Sequence, residues 1–212
     1  LMIDPDHLQT LNNMGVIFSN SQEIKKAKDC FEKTIKINPN YSEAHNNLGI
    51  IFKKLGENQK AKTCYEKAIE INPNYSEAHN NLGIIFKELG EYQKAKSCYN
   101  KAIEINPNYA HVYNNLGNIF NQLGENQNAK ECYEKAIEIN PNYAHAHHNL
   151  GNTLKTLKDY QKAKECFEKA IEINPNYSEA HNNLGLIFKE LRENQKAKSF
   201  YEKAIEINPN YA

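Results

Sequence analysis

Apolar and polar residues follow one another along this chain with the period of a helix, and the pattern breaks at regular intervals. Over 42–55, Ala44, Leu48, Ile51, Phe52 and Leu55 share one stripe at helical spacing, which predicts an amphipathic helix. Gly56 follows, a residue that adopts the left-handed backbone of a helix end at no steric cost. A second stripe, Ala61, Cys64, Tyr65, Ala68, Ile69 and Ile71, predicts a second helix. Asn72-Pro73 closes it, because the residue before a proline is driven out of the α region. Ser42 stands where an N-cap for the first helix is expected.

The same two stripes then recur. Pro39, Pro73, Pro107, Pro141, Pro175 and Pro209 are spaced by 34 residues, as are Gly15, Gly49, Gly83, Gly117, Gly151 and Gly185. The stretch INPNYSEAHNNLG stands unchanged at 37–49, 71–83 and 173–185. Six units follow from this period, 8–41, 42–75, 76–109, 110–143, 144–177 and 178–211, each a helix, a tight turn and a second antiparallel helix. Residues 1–7, LMIDPDH, align with the close of a unit and are expected to be the end of a preceding, truncated one. Nothing between units reads as a linker, so one continuous domain is expected.

A single helix pair cannot bury both stripes, whereas stacked copies share a continuous core. Leu48-Gly49, Phe52, Ala61, Tyr65, Ala68 and Pro73 match the tetratricopeptide pattern in order and period, and the match recurs over 8–211. The chain therefore resembles the tetratricopeptide-repeat family, and the resemblance implies an all-α, right-handed α-solenoid of six 34-residue helix-turn-helix repeats. Turns are expected near Gly56, Gly90 and Gly124, with Lys158 and Arg192 at the same place in the last two units. Where the family usually has Trp or Tyr early in the first helix, this chain has His45, His79, His147 and His181, with Tyr113 and Leu11 in the other units. These histidines fall on the packed side and are expected at the core edge.

Counting 100° per residue from the start of each unit, places three, seven, ten, eleven and fourteen of the first helix form the buried arc. Places two, five, nine, twelve and thirteen point outward and place six lies at the edge. Proteins that look like this one turn those outward places into the groove of the superhelix. Place five reads Asn12, Asn46, Asn80, Asn114, His148 and Asn182; place six reads Asn13, Asn47, Asn81, Asn115, Asn149 and Asn183. A carboxamide both donates and accepts, so a row of them matches the two groups of a peptide bond. The row resembles the asparagine ladder of the tetratricopeptide regions of O-linked N-acetylglucosamine transferases, which implies that the groove holds an extended peptide. The other reading of place six is structural, with each Asn bonding to its neighbours in the stack.

Units four and five differ from the rest. They carry His111 and His145 at place two, where Glu43, Glu77 and Glu179 stand elsewhere, and Asn118 and Asn152 at place nine, otherwise Val16, Ile50, Ile84 and Leu186. Asn121 takes place twelve, otherwise Lys53, Lys87, Lys155 and Lys189 in units two, three, five and six. The expected peptide-binding set is therefore Asn47, Asn81, His111, Asn114, Asn115, Asn118, Asn121, His145, His148, Asn149, Asn152 and Asn183, centred on units four and five.

Composition narrows the class. The 26 basic and 26 acidic residues cancel, so no net field draws the chain to nucleic acid or an anionic membrane. The longest apolar run is far short of a membrane span and the first residues do not read as a signal peptide. Cys30, Cys64, Cys98, Cys132 and Cys166 are spaced by 34, a pattern unlike a disulfide framework or a zinc site. They are expected as small reduced thiols packed between helices, which implies an intracellular, cytoplasmic setting. No nucleotide loop, nucleophile elbow or metalloprotease helix is present, so neither enzymatic activity nor a cofactor is expected. His145 and His148, with His111, are the best metal candidates but lack a carboxylate partner. On the outer helices, Lys62 with Glu66, Lys67 with Glu70 and Glu131 with Lys135 have ion-pair spacing.

The expected function is a protein-interaction scaffold that binds an extended peptide segment of a protein partner in its groove. An alternative is the substrate-recruiting segment of a larger enzyme, such as a glycosyltransferase, whose catalytic domain lies elsewhere. An RNA-binding helical repeat fits less well, because the period is 34 and no basic face is evident. The apolar residues of the terminal units also give an expectation of head-to-tail self-association through uncapped ends.

Overall fold

A computed structural model describes residues 5–210 of the chain. The helices are α1 (Pro5–Asn20) with α2 (Ile24–Ile37), α3 (Ser42–Lys54) with α4 (Asn58–Ile71), and α5 (Ser76–Glu88) with α6 (Tyr92–Ile105). They continue as α7 (Ala110–Gln122) with α8 (Asn126–Ile139), α9 (Ala144–Thr156) with α10 (Tyr160–Ile173), and α11 (Ser178–Glu190) with α12 (Asn194–Ile207). No strand occurs among the described residues, so the fold is all-α, built from six helix-turn-helix repeats. None of these helices is long and apolar enough to cross a membrane. The truncated repeat expected at 1–7 falls largely on residues 1–4, which lie outside the described residues. From residue 5 the chain is already helical: α1 begins at Pro5, and a proline in the first turn forfeits no hydrogen bond.

The helices group into two compact units, Leu1–Pro107 and Asn108–Ala212, although no residue pattern sets that boundary apart from the other repeat boundaries. Inside each unit, the first helix of a repeat packs on its own second helix, on the second helix of the repeat before, and on the neighbouring first helix.

Within a repeat the two helices approach closely because a glycine faces an aromatic ring. A Cβ placed on Gly49 would stand 2.6 Å from the ring of Tyr65, and the same holds for Gly83 against Tyr99 and Gly117 against Tyr133. Tyr65, Tyr99, Tyr133, Phe31 and Phe167 are thereby sealed in the interior, with alanines such as Ala61 and Ala68 on either side. Lys28 and Lys60 both lie over the Phe52 ring, at 5.5 and 5.4 Å from its centroid. Lys62 and Lys94 do the same at Phe86, and Lys164 and Lys196 at Phe188.

The turn inside each repeat closes by a Schellman pair of hydrogen bonds. Gly56 N–H donates to Lys53 O at 3.0 Å and Glu57 N–H to Phe52 O at 2.9 Å. The motif persists where glycine is absent: Gln22, Lys158 and Arg192 hold φ of 61°, 63° and 62° and make the same bonds. Lys158 and Arg192 are expected at this turn from the sequence; Gln22 is the additional case.

The link between repeats is set by two side chains. Asn38 Oδ1 accepts the N–H of Asn40 at 3.0 Å, and Asn72, Asn140, Asn174 and Asn208 repeat the bond. His45 Nε2 then donates to Pro39 O at 2.9 Å, as His79 does to Pro73, His147 to Pro141 and His181 to Pro175. The histidine ring thus pins the first helix to the turn that precedes it. Ser42 is not the N-cap: it is the first helical residue and its hydroxyl donates to Glu43, while Tyr41 occupies the cap position without a side-chain bond. Of the expected surface ion pairs, Lys62–Glu66 and Lys67–Glu70 form. Lys135 pairs with Glu138 at 2.8 Å in place of Glu131, which accepts from Gln127.

Candidate functional site

The two asparagine rows first satisfy one another. Asn47 Nδ2 donates to Asn12 Oδ1 at 3.2 Å and Asn81 Nδ2 to Asn46 Oδ1 at 3.0 Å. In the other unit, Asn149 Nδ2 donates to Asn114 Oδ1 at 2.9 Å. Each rung therefore joins place six of one repeat to place five of the repeat before. Place five is correspondingly buried: Asn12, Asn46, Asn80 and Asn114 are all no more than 7% exposed. This corrects the expectation that place five points outward. The angular count treats one helix against its partner, whereas a first helix also meets the neighbouring first helix, which covers that arc. Place six sits at the rim, half-buried at Asn47, Asn81, Asn115, Asn149 and Asn183.

In repeats four and five the rung grows into a network. Tyr133 Oη donates to Asn118 Oδ1 at 2.7 Å and accepts from Asn121 Nδ2 at 3.0 Å. Asn121 also reaches Thr153 Oγ1 at 3.0 Å, and Thr153 donates back to the backbone at Asn149 O. Asn149 bonds to Asn118 as well as to Asn114, at 3.2 Å. The equivalents of Asn118 and Asn121 in repeat three are Ile84 and Lys87, and there the buried Tyr99 hydroxyl has no hydrogen-bond partner.

At repeat five, His148 replaces the place-five asparagine. Lys155 Nζ donates to Asn183 Oδ1 at 3.0 Å, which turns the Asn183 amide nitrogen toward His148 Nε2 at 3.0 Å. Asn152 Nδ2 points at the same nitrogen from 3.3 Å. With two amide donors aimed at it, Nε2 is an acceptor and the ring proton resides on Nδ1, which is buried without a partner. Burial holds the His148 pKa below the usual histidine value, and a proton on Nε2 would also face those two donors. Lys155 is likewise pushed down by burial. The exposed His111 and His145 lie beside an aromatic line: His111 meets Tyr143 edge-on at 4.6 Å, and His145 and His148 lie 5.3 and 4.8 Å from Tyr177.

The structure thus brings Asn114, Asn118, Asn121, His148, Asn149, Asn152 and Asn183 together in one polar patch, with His111 and His145 at its edge. Asn115 shares the α7 face but is not part of the network described above. Asn47 and Asn81 belong to the Leu1–Pro107 unit. Tyr133, Thr153, Tyr143 and Tyr177 are participants that the sequence reading missed, whereas Lys155 is read there as a groove residue at place twelve but lies outside the expected binding set. Only Thr153 carries a sequence signal, standing where every other repeat has isoleucine.

Among the described residues no three His, Cys, Asp or Glu side chains are grouped to hold a metal ion. None of the five cysteines is in a disulfide, and burial pushes Cys64 and Cys98 up to about 11 and Cys166 to about 12, which keeps those three thiols protonated at neutral pH.

Repeats of this form, with a glycine-on-aromatic contact inside each pair, define a tetratricopeptide-repeat protein. The family profile of the cilia and flagella-associated protein 70 C-terminal domain matches residues 6–207, and the chain belongs to that family of tetratricopeptide repeats. No curated protein matches the sequence. Among solved structures, PilF of Pseudomonas aeruginosa is similar at 20% identity and a TM-score of 0.89, over 97% of this chain and 93% of that one. MamA is similar at 26% identity and a TM-score of 0.70, over 76% of this chain and 95% of its own. YrrB, a TPR protein with an unusual peptide-binding site, is similar at 24% identity and a TM-score of 0.69, over 85% and 93%.

Proposed function

We propose that the chain is a non-catalytic interaction module that holds an extended segment of a partner protein along its first-helix face, with repeats four and five as the principal contact. One observation carries this reading: in those two repeats place nine becomes asparagine (Asn118 and Asn152), Asn121 joins them at place twelve, and a network through Tyr133, Thr153 and His148 presets their amides. Amides held in advance lose little rotamer freedom when they meet a peptide backbone, which favours binding. Family membership supports the reading, as does the peptide-binding site named for YrrB. The asparagine rungs serve the joints between repeats as well as the partner. Five cysteines outside any disulfide favour a reducing, intracellular compartment.

The test is a fluorescently scanned array of extended twelve-residue peptides, followed by titration of the peptides captured. Asn152→Ala and His145→Ala, both at the rim, are expected to weaken binding several-fold, given about 0.5–1.5 kcal/mol per neutral hydrogen bond, while leaving thermal stability nearly unchanged. Asn149→Ala removes a rung and is expected to lower stability as well. Captured peptides whose affinity ignores both rim substitutions would refute the assignment to repeats four and five.

A further inference from the structure

The Leu1–Pro107 unit presents a different chemistry on the same face. Two adjoining clefts lie there. The first is bounded by Val16, Ser19, Asn47, Ile50 and Lys54 with Phe31 at its floor, and the second by Ile50, Lys53, Lys54, Asn81 and Ile84 with Tyr65 at its floor. Ile50 and Lys54 are shared, so the clefts are contiguous. Both floors are rings that the interior already fixes, at 1% exposure each. The walls come from place nine, which is aliphatic in repeats one to three and asparagine in repeats four and five.

Charge on this stretch is one-sided. The last turns of α3 and α5 carry Lys53, Lys54 and Lys87 against a single acid, Glu88. Lys53 pairs with Glu88 across the repeats at 3.0 Å, and Lys54 bonds Ser19 through its carbonyl and hydroxyl oxygens. These contacts hold the ammonium groups over the clefts without neutralising them all.

We infer that this face is a second docking subsite, for an extended partner segment that carries an apolar side chain at every third residue with carboxylates between. The spacing follows from the repeats. Packed helices lie about 8–10 Å apart, so successive clefts repeat at about that distance. A polyproline-II segment advances about 3.1 Å per residue with three residues per turn, so every third side chain returns to the same side after about 9 Å. A β-strand does not fit, because residues three apart point to opposite faces. The apolar side chains enter the wells on either side of Ile50, and the carboxylates meet Lys53 and Lys54. This inference rests on the interaction-module reading but not on the asparagine patch of repeats four and five.

The test uses the whole chain and a fluorescein-labelled peptide, Gly-Leu-Asp-Pro-Leu-Asp-Pro-Leu-Gly, read by polarisation. Controls place the leucines two residues apart or exchange the aspartates for lysines. The three-residue spacing with aspartate is expected to bind best, and both controls to lose about tenfold or more. Ile50→Asn and Ile84→Asn install the residue that repeats four and five already carry at this place, so the fold accommodates them; each is expected to cost about tenfold. Lys54→Gln is expected to reduce both affinity and its salt dependence. Asn152→Ala is expected to leave this peptide's affinity unchanged. Equal binding at all spacings, or binding that survives Ile50→Asn and Ile84→Asn, overturns the subsite. Binding lost with Asn152→Ala and retained with Ile50→Asn also overturns it, while leaving the proposal for repeats four and five standing.

Discussion

Replacing Gln22, Lys158 and Arg192 with glycine should make the protein more stable, even though each change deletes a side chain. All three residues hold φ between 61° and 63° at the closing turn of a helix, the place where Gly56, Gly90 and Gly124 hold 75° to 76°. A left-handed backbone costs a residue with a Cβ about 1–2 kcal/mol. Glycine removes that strain but orders a more flexible chain, at about 0.5–1 kcal/mol. The net gain is about 0.5–1 kcal/mol per site. The sites are at least 34 residues apart in sequence and share no partner, so their effects should add to about 2 kcal/mol in the triple variant. For a chain of this length each kcal/mol raises Tm by about 2–4 °C. Urea denaturation followed by circular dichroism, with Tm as a second readout, measures the gain. For the converse change, Gly90→Lys, the added Cβ meets no neighbouring atom within 4 Å, and the change should cost about as much as one glycine gains. A triple variant no more stable than the parent, together with a harmless Gly90→Lys, would refute backbone strain as the operative term.

Tyr99→Phe removes a buried hydroxyl without a partner and should be neutral or stabilising, whereas Tyr133→Phe breaks two hydrogen bonds and should cost about 1 kcal/mol; paired denaturation curves give the difference. Gly49→Ala gains about 1 kcal/mol of helix propensity but drives a methyl into the Tyr65 ring, so a net loss of about 1–2 kcal/mol is expected in melting experiments. His148 is held neutral in the fold, below its usual pKa. Its contribution to stability is therefore complete above the unfolded value of about 6.5 and is lost as pH falls through the lowered folded value. His148→Asn, which restores the asparagine of other repeats, should flatten that acidic limb in a pH series of urea midpoints. An unchanged slope would show that other groups set it.

The sequence makes the fold legible because its proline, helix glycine and core alanine signals are each written six times. The period, the helix pairs and the turns follow from residues such as Pro73, Gly49 and Ala61, whose roles do not depend on what lies outside one repeat. Place five is less legible: Asn46 reads as outward on an isolated helix, and only the neighbouring first helix shows why it is buried. Ser42 looks like a cap by residue type, but the histidine-to-proline-carbonyl bond occupies the entry turn. Gln22 gives no hint of left-handed geometry, because its side chain carries no preference for it. In the candidate patch, Asn118 and Asn152 stand out as departures from the repeat. Tyr133 does not, since the same tyrosine in repeat three has nothing to bond with.

The asparagine rung also bears on how such an array changes length. Its two halves lie on different repeats, yet they are the same two groups at successive junctions of the Leu1–Pro107 unit: Asn47 with Asn12, then Asn81 with Asn46. Loss of residues 42–75 would bring Asn81 opposite Asn12, the pairing that Asn47 makes now. A gene that slips by one unit of 34 codons thus yields a protein whose remaining joints are already cut to fit. His148 is the exception, because Asn183 meets an imidazole there in place of a carboxamide. Copy number can drift among the interchangeable repeats, while the junction at His148 keeps its own address in the array.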